Sequence, residues 1–550
     1  MIKVYIYKRI KYNEVILMVI KRVVIENYKS FKGRFELEIL KDTSIIVGDN
    51  EVGKTSLLES INLALTNQIN GRSSIYELTP YMFNIDVVNS YLDSIKNGIN
   101  VDLPKINIEL YFENLPDVMA LKGTNNSRRE DCPGIKLSIE FNNSYSDEYI
   151  QYIKEPEKVN TIPIEYYEVK WYSFANNSIT TRSIPINVTY IDASSNKLLN
   201  GADKYISKII NNVLEDKEKA QLSLNYRKLK ESFASEESIK GVNTKLNNLT
   251  GNITEKEIAV SVDVSSRANW ETALTSYLDD IPFSYAGQGE QNSIKMKLAL
   301  ETHAEDSSIV LIEEPENHLS FTNMSKLINS ISSKCQDKQL IITTHSPYVA
   351  NKLGLENLIL FGKDKDTMSL AELHTDTQEY FKKLPGYDTL RMVLSKKPIL
   401  CEGPSDELII QKAYLNKYGK LPIEDGIDVI TVKGLSFKRF LEIAKLLKKQ
   451  IAVVTDNDGD EKALIKKYSG YIEEDNIKIC YDSDEAYKTL EPQICKINSK
   501  EILETVLGIS KDSIEEVQDY MIKNKTEVAL KIFESSEEIQ IPKYIYNAIE

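Results

Sequence analysis

Long apolar runs are missing from this 550-residue chain: none approaches the ~20 residues that a membrane-spanning helix needs, so no span is expected. Histidine and cysteine are scarce, at four and five residues. The cysteines (Cys132, Cys335, Cys401, Cys480 and Cys495) show neither close pairing nor a histidine at zinc-site spacing. That excludes a disulfide framework and a zinc module, and fits reduced thiols in a cytoplasmic protein. A surplus of positive charge is absent too. The net charge of −14 argues against a generally basic nucleic-acid coat, while leaving room for a local cationic groove or a metal-mediated contact. No small-residue cleavage site follows the first twenty residues, which argues against a secretory signal. Met18 opens a strand-turn-strand stretch, MVIKRVVIENYKSFKG, so residues 1–17 read as an upstream extension of the frame.

What is present is organised around residues 44–60, SIIVGDNEVGKTSLLES. Ser44–Val47 reads as a buried strand, Gly48–Thr55 fits G-x-x-x-x-G-K-T, and Ser56–Leu65 favours helix. Strand, glycine-framed loop and helix are the context that a phosphate-loop motif requires. Gly48 and Gly53 let backbone N–H groups turn inward around a β-phosphate, and Lys54 reaches the β and γ oxygens. Thr55 holds Mg²⁺, while Asn50 and Ser56 complete the expected nucleotide contacts. ATP is the expected ligand.

The length allows two to four domains. Val19–Asn27, Arg34–Leu40, Lys105–Phe112, Ile135–Phe141 and Ile164–Tyr172 read as strands. Tyr205–Leu249 has apolar residues at helical spacing, within a helical insertion spanning about 195–280 and expected to serve dimerisation. Ser284–Gln291, SYAGQGEQ, opens a helix that runs to Glu301. The run IVLIEEP at 309–315 has the form of a Walker B strand: Glu313 would support Mg²⁺ and Glu314 would polarise the water attacking the γ-phosphate. The strand Gln339–Thr343 then delivers His345 toward the γ-phosphate. Gly362–Gly386 resembles a linker. Beyond it Pro398–Cys401, Asp428–Val432 and Ile451–Thr455 alternate with helices at Ser405–Tyr414 and Ser436–Lys449, which implies a parallel sheet with its own ligand edge. There Glu402 ends one strand and Asp406 starts the following helix. Asp456 and Asp458 end a neighbouring strand and, if it stays extended, point to one side. Converging carboxylates call for divalent cations, and hard oxygen ligands suit Mg²⁺ or Mn²⁺. An acidic surface turn is the bland alternative for DNDGD, and a helix cap for EGPSD.

The order of phosphate loop, GQGEQ helix, EEPE strand and THS strand resembles the ATP-binding-cassette heads of the SMC and RecF kind, with Gly287–Gln291 in the place of the signature loop. The E…DxD arrangement resembles a TOPRIM domain. Together they resemble the OLD (overcoming lysogenization defect) family of ATP-dependent nucleases, and within it the Gabija anti-phage nucleases. The resemblance implies an α/β fold: an ABC-type head over 18–385 and a Rossmann-like TOPRIM domain over 396–550. It implies Glu402, Asp406, Asp456, Asp458 and Glu491 as metal ligands, and Lys525 as the cation that offsets charge on the scissile phosphate. Double-stranded DNA, a homodimer or higher oligomer formed through the head, and a helicase-like partner follow from the same resemblance.

The expected activity is therefore ATP-regulated, metal-dependent cleavage of DNA. A clamp or repair mediator of the same head type, without nuclease activity, is the rival. No zinc module or strand-passing domain speaks for a primase or a topoisomerase. The helix Ser436–Lys449, with Lys438, Arg439, Lys445, Lys448 and Lys449, could face a DNA backbone or merely solvent.

Overall fold

The computed structural model describes residues 19–69, 71–192, 214–250, 260–261, 277–302, 307–362, 365–383, 387–432 and 437–550. The expected upstream extension at 1–17 and much of the insertion at 195–280 lie outside them. The chain falls into two compact units, one of residues 1–43 and 55–343, the other of residues 44–54 and 344–550.

In the first unit, Ile20–Glu26 pairs antiparallel with Arg34–Glu38 and Ile106–Phe112, and the sheet continues through Cys132–Phe141 to Tyr167–Ser173. Alternation sends Val23, Ile25, Ile108, Leu110, Leu137 and Ile139 into the core. Trp171 donates its indole N–H to the Ala64 carbonyl at 2.9 Å, fastening this sheet to the end of helix Lys54–Thr66. Three further strands, Val188–Asp192, Ile309–Glu313 and Gln339–Thr343, run parallel in continuous register. The last two are buried along their whole length, which is why they read as unbroken apolar runs. The described part of the insertion is helical, as Asp216–Ser235 and Glu237–Thr250.

In the second unit the phosphate-loop strand lies parallel to Leu358–Phe361. A four-stranded parallel sheet follows, in the order Val429–Thr431, Ile399–Cys401, Ile451–Val454, Ile477–Cys480. Both of its faces are covered. Cys401, Val454 and Cys480 pack against helix Pro404–Tyr418 and the C-terminal helices. Leu400, Ile430 and Val453 join a second core that also contains Ile45 and Val47 of the phosphate-loop strand. One hydrophobic core thus carries both the nucleotide loop and the acidic sheet edge.

Three expectations are corrected. The supposed linker Gly362–Gly386 contains the strand Thr367–Ser369 and the helix Thr375–Lys383, with Leu370, Leu373 and Phe381 buried. Few apolar residues reveal that helix because polar bonds anchor it: Glu442 accepts from the His374 N–H and the Thr377 hydroxyl, each at 2.6 Å. Secondly, the segment after Ile451–Val454 is not extended. Asp458 and Gly459 take φ of 51° and 80°, so strand alternation does not set the direction of Asp458. Thirdly, the basic helix ends at Leu446, so Lys448 and Lys449 lie beyond it, and part of the segment's charge is engaged within the fold while Lys438 and Lys448 stay exposed. Arg439 donates to Thr377, Lys445 pairs with Glu474, and Lys449 donates to the Val393 carbonyl.

Candidate functional site

At the phosphate loop, sequence dictates a backbone that only glycine allows. A Cβ on Gly48 would stand 2.6 Å from the Phe361 carbonyl oxygen, and Gly53 has φ +106°. The Lys54 ammonium arches back over the loop and donates to the Gly48 and Asp49 carbonyls at 2.9 and 2.8 Å. Asn50 is exposed at the tip. Lys365, which sequence reasoning missed, donates to the Val52 carbonyl, and burial lowers its pKa. His345 is half-buried, one residue before Ser346, whose hydroxyl caps helix Pro347–Leu353.

In the first unit Thr55 donates its hydroxyl to Glu313. Glu313 also accepts from the Tyr190 hydroxyl at 2.6 Å, from the neighbouring parallel strand. Burial raises the Glu313 pKa, those two donors pull it back, and Asp192 and Glu59 raise it further. Tyr190 left no sequence signal, because only strand pairing brings it to the acid. Glu314 takes φ 42° and accepts from Asn317 Nδ2 at 2.7 Å. The buried Ser56 contacts the Ser30 hydroxyl at 3.3 Å. Helix Gln288–Thr302 begins at the expected signature, and a Cβ on Gly289 would lie 2.1 Å from the His318 carbonyl oxygen. The glycine there admits the turn that follows the Walker B acids.

The acidic edge is assembled from separate segments of the second unit. Strands Ile399–Cys401 and Ile451–Val454 are parallel neighbours, so Glu402 and Asp456 emerge from the same sheet edge. Glu402 accepts from the Thr455 hydroxyl and from the Asp456 N–H at 3.3 Å. Asp406 sits in the first turn of Pro404–Tyr418 and accepts from the Gly403 N–H at 2.9 Å, so the capping role and the place beside the other acids coexist. Glu491 opens helix Leu490–Ile497, where the Thr489 hydroxyl donates to it at 3.0 Å. Lys525 reaches Glu491 at 3.1 Å, the lysine side chain 46% exposed and the glutamate 5%. The helix that Lys525 starts, Lys525–Glu534, packs along Pro404–Tyr418, and Lys412 closes its far end by donating to the Phe533 and Ser535 carbonyls.

Electrostatics tie these residues together. Burial pushes the Asp456 carboxyl up to about 8; Asp406, Glu402 and Glu491 add to the rise and Lys525 opposes it. Asp406 is pushed up to about 6, again chiefly by burial, against the Gly403 hydrogen bond and Lys525. Glu402, Asp406 and Glu491 are each turned toward a local donor. Among the described residues no three acidic, histidine or cysteine side chains meet at metal-ligand distance. Asp458 is exposed on its turn, outside this group. The donor set still fits a hard divalent cation, since all its members are carboxylates, and burial with neighbouring acids disfavours the ionised forms of Asp406 and Asp456. Sequence reasoning missed Thr455, Gln493 and Tyr544. The buried Tyr544 hydroxyl donates to Gln493 at 2.8 Å, and its pKa is raised by burial and by Asp456 and Asp406.

Residues 18–350, more than half the chain, match the family model of the AAA ATPase domain. The chain belongs to that family. Residues 393–458 match the family model of the TOPRIM domain of overcoming lysogenization defect protein-like proteins. It is similar to Endonuclease GajA of Bacillus cereus strain HuB5-5, at 21% identity over 562 residues, covering 86% of this chain and 80% of that one. Among solved structures, the Smc head domain with an extended coiled coil bound to the C-terminal domain of ScpA, from Pyrococcus furiosus, is matched with a TM-score of 0.35 at 13% identity, over 66% of this chain and 99% of that one. The C-terminal region of the Xanthomonas campestris pv. campestris OLD protein is matched with a TM-score of 0.23 at 17% identity, over 29% of this chain and 92% of that one.

Proposed function

We propose that this protein is an ATP-regulated, divalent-metal-dependent DNA endonuclease of the OLD family, serving anti-phage defence. The observation that carries the reading is the group Glu402, Asp406, Asp456 and Glu491 with Lys525, electrostatically coupled at the edge of a TOPRIM sheet. Glu402, Asp406, Asp456, Asp458 and Glu491 would hold Mg²⁺ or Mn²⁺. Bound there, the ions supply Lewis-acid activation of water and of the leaving 3′-oxygen. Thr455 fixes the rotamer of Glu402. Lys525, oriented by Glu491, presents its ammonium to the scissile phosphate and offsets the pentacovalent charge.

On the nucleotide side, Gly48, Asn50, Gly53, Lys54 and Ser56 hold the ATP phosphates, Thr55 and Glu313 serve its Mg²⁺, Glu314 polarises the attacking water, and His345 meets the γ-phosphate. The shared core of Ile45 and Val47 with Leu400, Ile430 and Val453 supports control of cleavage by the ATP loop, because a packed core transmits a shift rather than absorbing it. The substrate is double-stranded DNA, the chain pairs through its ATPase domain, and a helicase-like protein is its companion.

Incubating supercoiled plasmid with Mg²⁺ or Mn²⁺ and titrated ATP tests the reading. Asp456→Ala should abolish cleavage under every condition, and Lys54→Ala should change only the response to ATP. Undiminished cutting by Asp456→Ala would overturn the nuclease assignment in favour of a DNA clamp.

A further inference from the structure

One cation beside the acidic edge has no part in the scheme above. Lys488 lies three residues before Glu491, on the segment that follows strand Ile477–Cys480. Its side chain is laid across Gly459, in the turn that carries Asp458. A Cβ on Gly459 would meet Lys488 Cε at 2.9 Å, Cδ at 3.2 Å and Cγ at 3.3 Å. Gly459 has φ +80°, so both its backbone and its bare surface call for glycine. The methylene stem therefore has a seat, which any side chain at 459 would remove.

The segment bearing Lys488 is held at both ends. The buried Asn457 donates to the Asp482 and Asp484 carbonyls at 2.7 and 2.9 Å, and its own oxygen accepts from the Gly459 N–H at 2.8 Å. Gln493 donates to the Tyr487 carbonyl at 2.9 Å while accepting from Tyr544. Lys496 pairs with Asp484 at 2.6 Å and lies over the Tyr487 ring. Two neighbouring lysines are ion-paired, Lys496 with Asp484 and Lys525 with Glu491. Lys488 is exposed, and among the described residues its ammonium has no hydrogen bond or ion pair. Most exposed lysines are mobile and lose rotamer entropy when they grip a ligand. Here much of that loss is already met by the contact with Gly459.

We propose that Lys488 is a substrate-binding residue of the nuclease site, holding a DNA phosphate that flanks the scissile one. This rests on the nuclease reading above. A chain of net charge −14 brings a polyanion to a cluster of acids, and a seated cation at the rim of that cluster supplies the local attraction. Lys525 acts on the reacting phosphate, and Lys488 sets the register of the strand.

The test uses the full chain with a fluorescent duplex, measuring binding and Mg²⁺-dependent cleavage over a salt series. Lys488→Met keeps the stem on Gly459 and removes only the charge. It should raise KM and Kd about tenfold, change kcat less than about threefold, and lower the salt slope of binding by about one. Lys488→Arg should stay within about threefold of wild type. Unchanged KM and salt slope in Lys488→Met, or a loss in Lys488→Arg equal to that in Lys488→Met, would overturn the proposal. Wild-type protein that binds duplex without ever cutting it would sink the nuclease reading instead, while the binding arm still decides whether Lys488 grips a phosphate.

Discussion

The phosphate loop and the acidic edge belong to one unit and share one core, yet they are built in opposite ways. The loop is local: eight consecutive residues supply the glycines, the lysine and the threonine, and backbone sterics do the rest. The edge is dispersed. Its acids and lysine come from two strand ends and the first turns of three helices, spread over more than 120 residues from Glu402 to Lys525. A local device tolerates change elsewhere. A dispersed one depends on every packing contact that brings its parts together, and it carries the electrostatic strain of that meeting.

The largest expected effect falls on the dispersed site. Asp456→Ala should lower plasmid cleavage by on the order of a thousandfold or more while leaving ATP binding intact, as measured by gel assay and nucleotide titration. If ATP affinity fell in parallel, the two sites would not be separable. Next comes the partner that the loop motif does not contain. Tyr190→Phe removes a donor from the buried Glu313, worth about 1–3 kcal/mol, so ATP turnover should fall about tenfold. Wild-type turnover in that variant would show that the motif alone suffices.

The strain at the edge predicts a pH signature. The Asp456 carboxyl is held up to about 8 in the folded protein, well above its ordinary value near 4. The folded state thus binds the extra proton, and metal-free stability falls as pH rises from about 4 to about 8. Asp456→Asn removes that penalty. In chelator, its thermal midpoint should match wild type near pH 4 and exceed it by a few degrees near pH 8. Saturating Mg²⁺ should close the gap by stabilising wild type alone. A constant gap across pH would show that burial at Asp456 costs nothing.

A smaller effect comes from packing at the signature helix. Gly289→Ala places a methyl 2.1 Å from the His318 carbonyl oxygen, so the backbone must move at a cost of about 1–3 kcal/mol. Thermal unfolding should register that loss. An unchanged midpoint would mean that the turn yields freely.

Much of this was legible in the chain. Parallel strands buried on both faces, such as Ile309–Glu313 and Gln339–Thr343, announce themselves as apolar runs, and the glycine-framed loop needs nothing from afar. Helix Thr375–Lys383 carries no such signal, because polar bonds from Glu442 hold it where apolar periodicity is thin. The direction of Asp458 was not legible, because two left-handed residues replace the extended backbone that alternation assumes.

By itself, then, the sequence determined what short-range sterics and burial dictate: the loop geometry, the strands and the acids at their ends. Tertiary structure alone decided which distant groups meet. Tyr190 reaches Glu313 through strand pairing, Lys525 reaches Glu491 through helix packing, and Lys488 rests on Gly459 because Asn457 and Gln493 clamp its segment. The reason is physical: a long-range meeting is set by the sum of many weak packing contacts along the chain, and no single stretch of residues carries that sum.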